Sequence, residues 1–187
     1  MAGKKRVGVL ALQGDFARHA ESLTMAGAEA IEVRTREGLA SVEALVMPGG
    51  ESTTMLKLIG YEDLWEPLKA FGQAKPIFGT CAGAILLAKQ VLSPHQVSLD
   101  LMDIDVERNG YGRQLDSHIA QVELEGAPLE AVFIRAPIIR RVGVGAKVWA
   151  SHRGDPVLVT EGRHMVATFH PELTCDPRVH EIFLRQV

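Results

Sequence analysis

Cys81 is the residue of this sequence best placed for covalent chemistry. It sits in Phe78-Gly79-Thr80-Cys81-Ala82-Gly83, after the apolar pair Ile77-Phe78 and before Ala84-Ile85-Leu86-Leu87-Ala88. That order predicts a strand, a tight turn and a helix. A reactive side chain on such an elbow is held above the sheet edge, and flanking glycines let strand and helix approach closely. A thiol there also meets the partial positive charge of the helix N-terminus, which favours thiolate over thiol. The same residues suit a small buried cysteine in a core. A nucleophile needs a base, and the base needs a group to orient it.

His170 and Glu172, in Phe169-His170-Pro171-Glu172, have the chemistry for those two roles. In an extended backbone, residues two apart point to the same side, so the Glu172 carboxylate can reach one imidazole nitrogen while the other faces outward. The carboxylate would fix the tautomer and stabilise the imidazolium. Taken alone, His-Pro-Glu is more often a surface turn than a catalytic pair. A third feature is Pro48-Gly49-Gly50-Glu51-Ser52, whose paired glycines can present amide N–H groups to an oxyanion or can simply make a tight connection.

These features must be positioned by regular elements. Val7 to Leu12 is a continuous apolar run, the signature of a central strand covered on both faces, and Gln13-Gly14 turns the chain after it. A helix is expected over Asp15 to Met25, a strand over Ala30 to Val33 and another over Ala44 to Met47. Ser52 is the expected cap of a helix running to Gly60, and Leu64 to Phe71 forms the next, with Trp65, Leu68 and Phe71 inward. The fourth strand leads to Cys81. This alternation implies a parallel sheet with helices on both faces and ligands beyond the strand C-termini. Gln13-Gly14, Gly49-Gly50 and Cys81 then share one crevice. The first turn lacks GxGxxG, which disfavours a dinucleotide. After Lys89 strands are expected at Met102 to Val106, His118 to Leu124, Ala131 to Ile134, Lys147 to Ala150 and Val157 to Thr160, adding antiparallel or edge strands. A last strand, His164 to Phe169, leads to His170, and a helix with Val179, Ile182 and Phe183 inward closes the chain. No linker, repeat or low-complexity segment divides it, so one domain over 1–187 is expected.

Bulk properties narrow the function classes. With 187 residues, 47% hydrophobic and 23% charged, the chain can bury a substantial core as a soluble globular protein. A net charge of -3 without a basic cluster leaves no footprint for nucleic acid, and the seven histidines are scattered. Cys81 and Cys175 form no CxxC or zinc-ligand spacing, so neither a metal nor a redox pair is indicated and a reducing cytoplasm is the expected compartment. The apolar run after Lys4-Lys5-Arg6 is too short for a signal peptide, and no run is long enough to span a membrane. Cys175 and the other histidines are assigned surface or core roles.

Six motifs taken in order remove the independence of these readings. They are Leu12-Gln13-Gly14, Pro48-Gly49-Gly50-Glu51-Ser52-Thr53-Thr54, Phe78-Gly79-Thr80-Cys81-Ala82-Gly83, Val106-Glu107-Arg108-Asn109 with Gly112-Arg113-Gln114, Phe133-Ile134-Arg135-Ala136-Pro137, and Phe169-His170-Pro171-Glu172-Leu173-Thr174. The set resembles the triad-type (class I) glutamine amidotransferases and, within them, the glutaminase subunits of pyridoxal 5'-phosphate synthases, over essentially the whole chain. The resemblance implies a three-layer, flavodoxin-like α/β fold with a mostly parallel sheet, and hydrolysis of L-glutamine to L-glutamate and ammonia without a cofactor.

Carried over residue by residue, it implies Cys81 as nucleophile, His170 as acid and base, Glu172 as its orienter, and the N–H groups of Gly50 and Ala82 as oxyanion hole. Glutamine would be held by Gly50, Glu51, Ser52, Arg108, Ile134 and Arg135. An arginine can take an α-carboxylate with a bidentate fork, and backbone groups can satisfy ammonium and amide. Ammonia would pass to a TIM-barrel synthase subunit in an assembly of twelve plus twelve. Docking of that subunit would reorient the Gly49-Gly50 peptide, with Gln13 between interface and site. Tyr111, where phenylalanine is expected, and Ser93 to Asp100 depart from the pattern. A glutaminase serving another synthase, such as that of histidine biosynthesis, would share the triad, and a non-catalytic domain with a reactive cysteine would share the fold.

Overall fold

The computed structural model describes residues 3–108 and 117–187. Asn109, Gly112, Arg113 and Gln114 of the fourth motif, and the departing Tyr111, lie outside the described residues.

The chain opens with β1 (Arg6–Leu10), α1 (Phe16–Met25), β2 (Glu29–Val33), α2 (Arg36–Ala40) and β3 (Ala44–Met47). It continues through α3 (Ser52–Tyr61), α4 (Trp65–Ala74), β4 (Ile77–Thr80) and α5 (Ala82–Leu87). A strand-rich stretch follows: β5 (Ala88–Leu92), β6 (Met102–Glu107), β7 (His118–Leu124), β8 (Ala127–Phe133), β9 (Ile138–Val142), β10 (Ala146–His152), β11 (Asp155–Glu161) and β12 (His164–Ala167). A 3-10 turn at Pro171–Leu173 and α6 (Arg178–Leu184) close it.

The main sheet has seven strands in the order β10-β11-β12-β4-β3-β1-β2. From β12 to β2 the pairings are parallel, while β11 and β10 add antiparallel at one edge. Counting β12 as the fifth parallel strand, the parallel part runs 2-1-3-4-5, the flavodoxin-like order. Its central strands read as continuous apolar runs because both faces are covered. Val7, Val9, Val46 and Phe78 face a core completed by α1 and α6, whereas Leu10, Leu45, Met47 and Ile77 face one completed by α2 to α5. Each fully buried side chain of this size contributes roughly 1.5–3 kcal/mol relative to exposure. Two small sheets flank these layers. β5-β6-β9 packs into the α2-to-α5 core, and the β7-β8 ribbon packs into the other through Val122, Leu124, Leu129 and Phe133.

Several local expectations change. The cap of α3 is Glu51, not Ser52: its carboxylate accepts from the N–H groups of Thr53 and Thr54, while Ser52 enters the first turn and donates to Gln96 Oε1 at 2.9 Å. Gln96 belongs to the unmatched Ser93 to Asp100 stretch, so that segment buttresses the loop after β3. Helix α3 passes through Gly60, since neighbouring packing overrides one residue's propensity. The short elements α2, β5 and β9 carry too few apolar repeats to stand out in sequence. The backbone at His170 is not extended into Glu172. β12 ends at Ala167, and His170 begins the 3-10 turn with φ -107° and ψ 86°.

Candidate active site

The ends of β1, β3, β4 and β12 lie together at the carboxyl edge of the sheet, and their following loops enclose a cavity of about 270 Å³. Cys81, His170, Gly49, Gly50, Glu51, Ser52, Arg108, Ile134 and Arg135 all line it. Gly14, expected there from the turn after the first strand, joins them, and Asp15 and Ile85, not anticipated from sequence, complete it. The cavity lies where the strand order reverses between β1 and β3, the place an open parallel sheet offers to a ligand.

Cys81 occupies the strained elbow. Its φ is +47° and ψ -102°, outside the comfortable regions for a side-chain-bearing residue. Its N–H donates to the Ala167 carbonyl at 2.9 Å, tying the elbow to β12, and its sulfur lies 4.0 Å from the Ile134 carbonyl. The flanking glycines are required by close approach. A Cβ at Gly79 would stand 2.5 Å from the Gly83 carbonyl carbon, and one at Gly83 would collide with the Met47 carbonyl oxygen.

His170 is anchored through its N–H to the Val132 carbonyl at 2.8 Å, so the β7-β8 ribbon positions both the imidazole and the carbonyl beside the sulfur. Its Nδ1 is 2.7 Å from Glu172 Oε1, and the cysteine, histidine and glutamate are all buried. The pairing expected from sequence is therefore present, produced by the 3-10 turn rather than by extended chain. Burial alone would favour the neutral imidazole, but the hydrogen bonds and charges of Cys81 and Glu172 outweigh it and push the His170 pKa up to about 10.

The loop after β3 packs against this imidazole. A Cβ at Gly49 would lie 2.5 Å from His170 Cε1 and 3.2 Å from Cys81 Cβ, so only glycine fits. Gly50 has φ +136°, a conformation glycine adopts without strain. Gln13 brackets Glu51: with its amide turned so that nitrogen faces the Glu51 carbonyl and oxygen faces the Glu51 N–H, it donates to the first at 3.1 Å and accepts from the second at 3.0 Å. Partial burial opposes ionisation of Glu51, but donors on Thr53 and Thr54 hold its pKa down at about 2. Arg108 reaches to 3.7 Å from the Glu51 carboxylate, and Arg135, at φ +45°, follows Ile134 onto the rim. Ala82 is the first residue of α5, where a backbone N–H has no intrahelical partner.

Fold and crevice define the class: an α/β protein of the open parallel-sheet type with a cysteine, a histidine and a carboxylate gathered at the carboxyl edge of its sheet. The chain belongs to the SNO glutamine amidotransferase family, whose model matches residues 9–187. It is 60% identical to the pyridoxal 5'-phosphate synthase subunit PdxT of Solibacter usitatus, over 98% of this chain and 100% of that protein. A crystal structure of a glutamine amidotransferase superposes with a TM-score of 0.89 at 47% identity, covering 96% of this chain and 97% of that one. A chain of the PurLQS structure from Thermotoga maritima superposes at 0.66 with 16% identity, covering 98% and 99%, and shares the fold.

Among the described residues no helix is long and apolar enough to cross a membrane, and no group of three or more His, Cys, Asp or Glu is arranged to hold a metal.

Proposed function

We propose that this chain is the glutaminase subunit of a pyridoxal 5'-phosphate synthase, acting from 1–187 as one domain. It hydrolyses L-glutamine to L-glutamate and ammonia and delivers the ammonia to a synthase subunit for vitamin B6 biosynthesis. The observation that carries the chemistry is the 2.7 Å contact of His170 Nδ1 with Glu172, made at the wall of the cavity that Cys81 also lines.

The Cys81 thiolate attacks the side-chain amide carbon, and the carbonyl oxygen becomes an oxyanion received by the N–H groups of Gly50 and Ala82. His170, as imidazolium, gives its proton to the departing nitrogen, leaving a thioester and ammonia. The now neutral His170 takes a proton from water, whose oxygen attacks the thioester. Collapse returns the thiolate and releases glutamate. Glu172 stabilises the imidazolium and fixes its tautomer through both halves of the cycle. Among the described residues, Arg108 and Arg135 are the arginines that line the cavity and take the α-carboxylate, with Gly50, Glu51, Ser52 and Ile134 lining the remainder.

The partner is a TIM-barrel synthase subunit in a twelve-plus-twelve assembly. Its docking reorients the Gly49-Gly50 peptide, and Gln13, bonded to both polar groups of the Glu51 backbone, is the residue through which the crevice rim feels that docking. The two free cysteines suit a reducing cytosol.

Glutamate release from L-glutamine, measured for this chain alone, with the synthase subunit, and with Cys81→Ala, tests the reading. Stimulation by the partner is expected, with loss on the order of 10³-fold or more in the variant. Equal activity in parent and variant would overturn it.

A further inference from the structure

His19, Thr80 and His180 form a fully buried polar cluster behind Glu172, outside the cavity. His19 projects from α1, Thr80 ends β4 immediately before Cys81, and His180 comes from α6. His19 Nδ1 lies 3.0 Å from His180 Nε2, and its Nε2 lies 3.1 Å from Thr80 Oγ1 and 3.3 Å from Glu172 Oε2. The first carboxylate oxygen is engaged by His170. The second is buried without a conventional hydrogen bond among the described residues, and so is His180 Nδ1.

Two separate observations fix the tautomers. With a lone pair on His19 Nε2, two acceptors would face each other 3.3 Å apart in a dry interior, which costs the desolvation of both. With His180 protonated on Nδ1, a buried N–H would be orphaned, whereas a bare Nδ1 leaves only an acceptor short of a partner, the milder defect. Both place a proton on His180 Nε2, donated to His19 Nδ1, and a proton on His19 Nε2, shared between Thr80 Oγ1 and Glu172 Oε2. The imidazoles are neutral: burial, reinforced by His180 and His170, lowers His19 well below its ordinary range, and burial takes His180 to about 4.

We infer that His19 is a positioning residue for glutamine hydrolysis, its imidazole holding the outer oxygen of Glu172 through the Nε2 proton and so keeping that carboxylate aimed at His170. This rests on the Cys81-His170-Glu172 reading. His19 touches neither substrate nor sulfur, so it acts on the chemical step and not on glutamine binding. The alternative is a packing role, since His19 and His180 both stand edge-on to Phe78, and tilted to each other, in the α1–α6 core.

Two substitutions separate these roles. The amide nitrogen of His19→Gln can occupy the place of Nε2, while that of His19→Asn reaches only the place of Nδ1. Both are assembled with the synthase subunit, alongside the parent and Cys81→Ala, and kcat and KM for glutamine are measured. Expected is a kcat for His19→Gln within about threefold of the parent and a loss of roughly tenfold to a hundredfold for His19→Asn, with KM unchanged in both. A parental kcat for His19→Asn, or equal losses in the two variants, overturns the inference. Should His19→Asn not fold, His19→Met, of similar bulk but with no proton to donate, takes its place: a kcat at least about tenfold below that of His19→Gln at unchanged KM supports the inference, and a kcat equal to that of His19→Gln overturns it. An active Cys81→Ala would overturn the underlying triad, whereas an inactive one with unaffected His19 variants would overturn the role of His19 alone.

Discussion

The turn after β3 and the turn after β12 open onto the same crevice, and each carries a glutamate. Glu51 is partly exposed and surrounded by donors from its own helix: the N–H groups of Thr53 at 3.0 Å and Thr54 at 2.8 Å, and the Thr54 hydroxyl at 2.7 Å. Glu172 is buried and finds its partners in distant segments, His170 through one oxygen and His19 of α1 near the other. An exposed carboxylate can be satisfied locally at a helix N-terminus, and its energy goes into holding the loop. A buried one must be satisfied by the fold as a whole, and any group that satisfies it becomes coupled to what it does.

The largest break in this comparison comes from neutralising the buried member. Glu172→Gln keeps the shape and removes the charge that stabilises the His170 imidazolium, so turnover with the synthase subunit should fall by about 10²–10⁴-fold. A glutamine-mimicking alkylator should still label Cys81. His170 should also titrate lower, because one of the two partners that raise its pKa is gone. NMR titration of the imidazole checks this, and an unchanged titration together with unchanged turnover would remove Glu172 from the triad.

The other turn reaches the chemistry through its glycine. Gly49→Ala places a methyl where His170 Cε1 stands 2.5 Å away, and the imidazole must shift by most of an ångström. Misplacement on that scale costs about 10²-fold in kcat. The β3–α3 connection and α3 itself are intact without it, so the thermal midpoint should move little. A variant of parental kcat would mean that the imidazole has room the structure does not display.

How much of this was legible beforehand follows the same division. Local features were readable: the βαβ alternation, the elbow at Cys81, and the strand ends that had to share a crevice all follow from periodicity and glycine spacing. Arg108 and Arg135 were not separable from Arg113 or Arg140 by residue type, and entered only through the motifs around them. Residue type alone points to Ser52 as the α3 cap because serine is the commoner cap, while Glu51 wins here with two carboxylate oxygens that serve two N–H groups. The spacing of His170 and Glu172 predicts their pairing through an extended chain, whereas the 3-10 turn is what brings the carboxylate to Nδ1. His19 carries no sequence signal beyond the surface or core role assigned to the other histidines. It stands 61 residues from Thr80 and 161 from His180, and no sequence spacing signals such a contact.

Glu51 supplies the smallest expected effect and the cleanest contrast. Its pKa is held at about 2 in the folded chain against about 4.3 unfolded, so its contribution to stability is present above the unfolded value and lost as pH falls through the folded one. Glu51→Ala should therefore lower stability near neutral pH by about 1 kcal/mol, the ordinary worth of an N-cap. That difference should shrink from pH near 4 downward and close near pH 2, where the parent's carboxylate is itself protonated. Thermal melts of parent and variant across that range measure it directly. A gap that stayed constant with pH would mean that Glu51 supports its turn by shape rather than by charge, and the two turns would then differ less in kind than in depth.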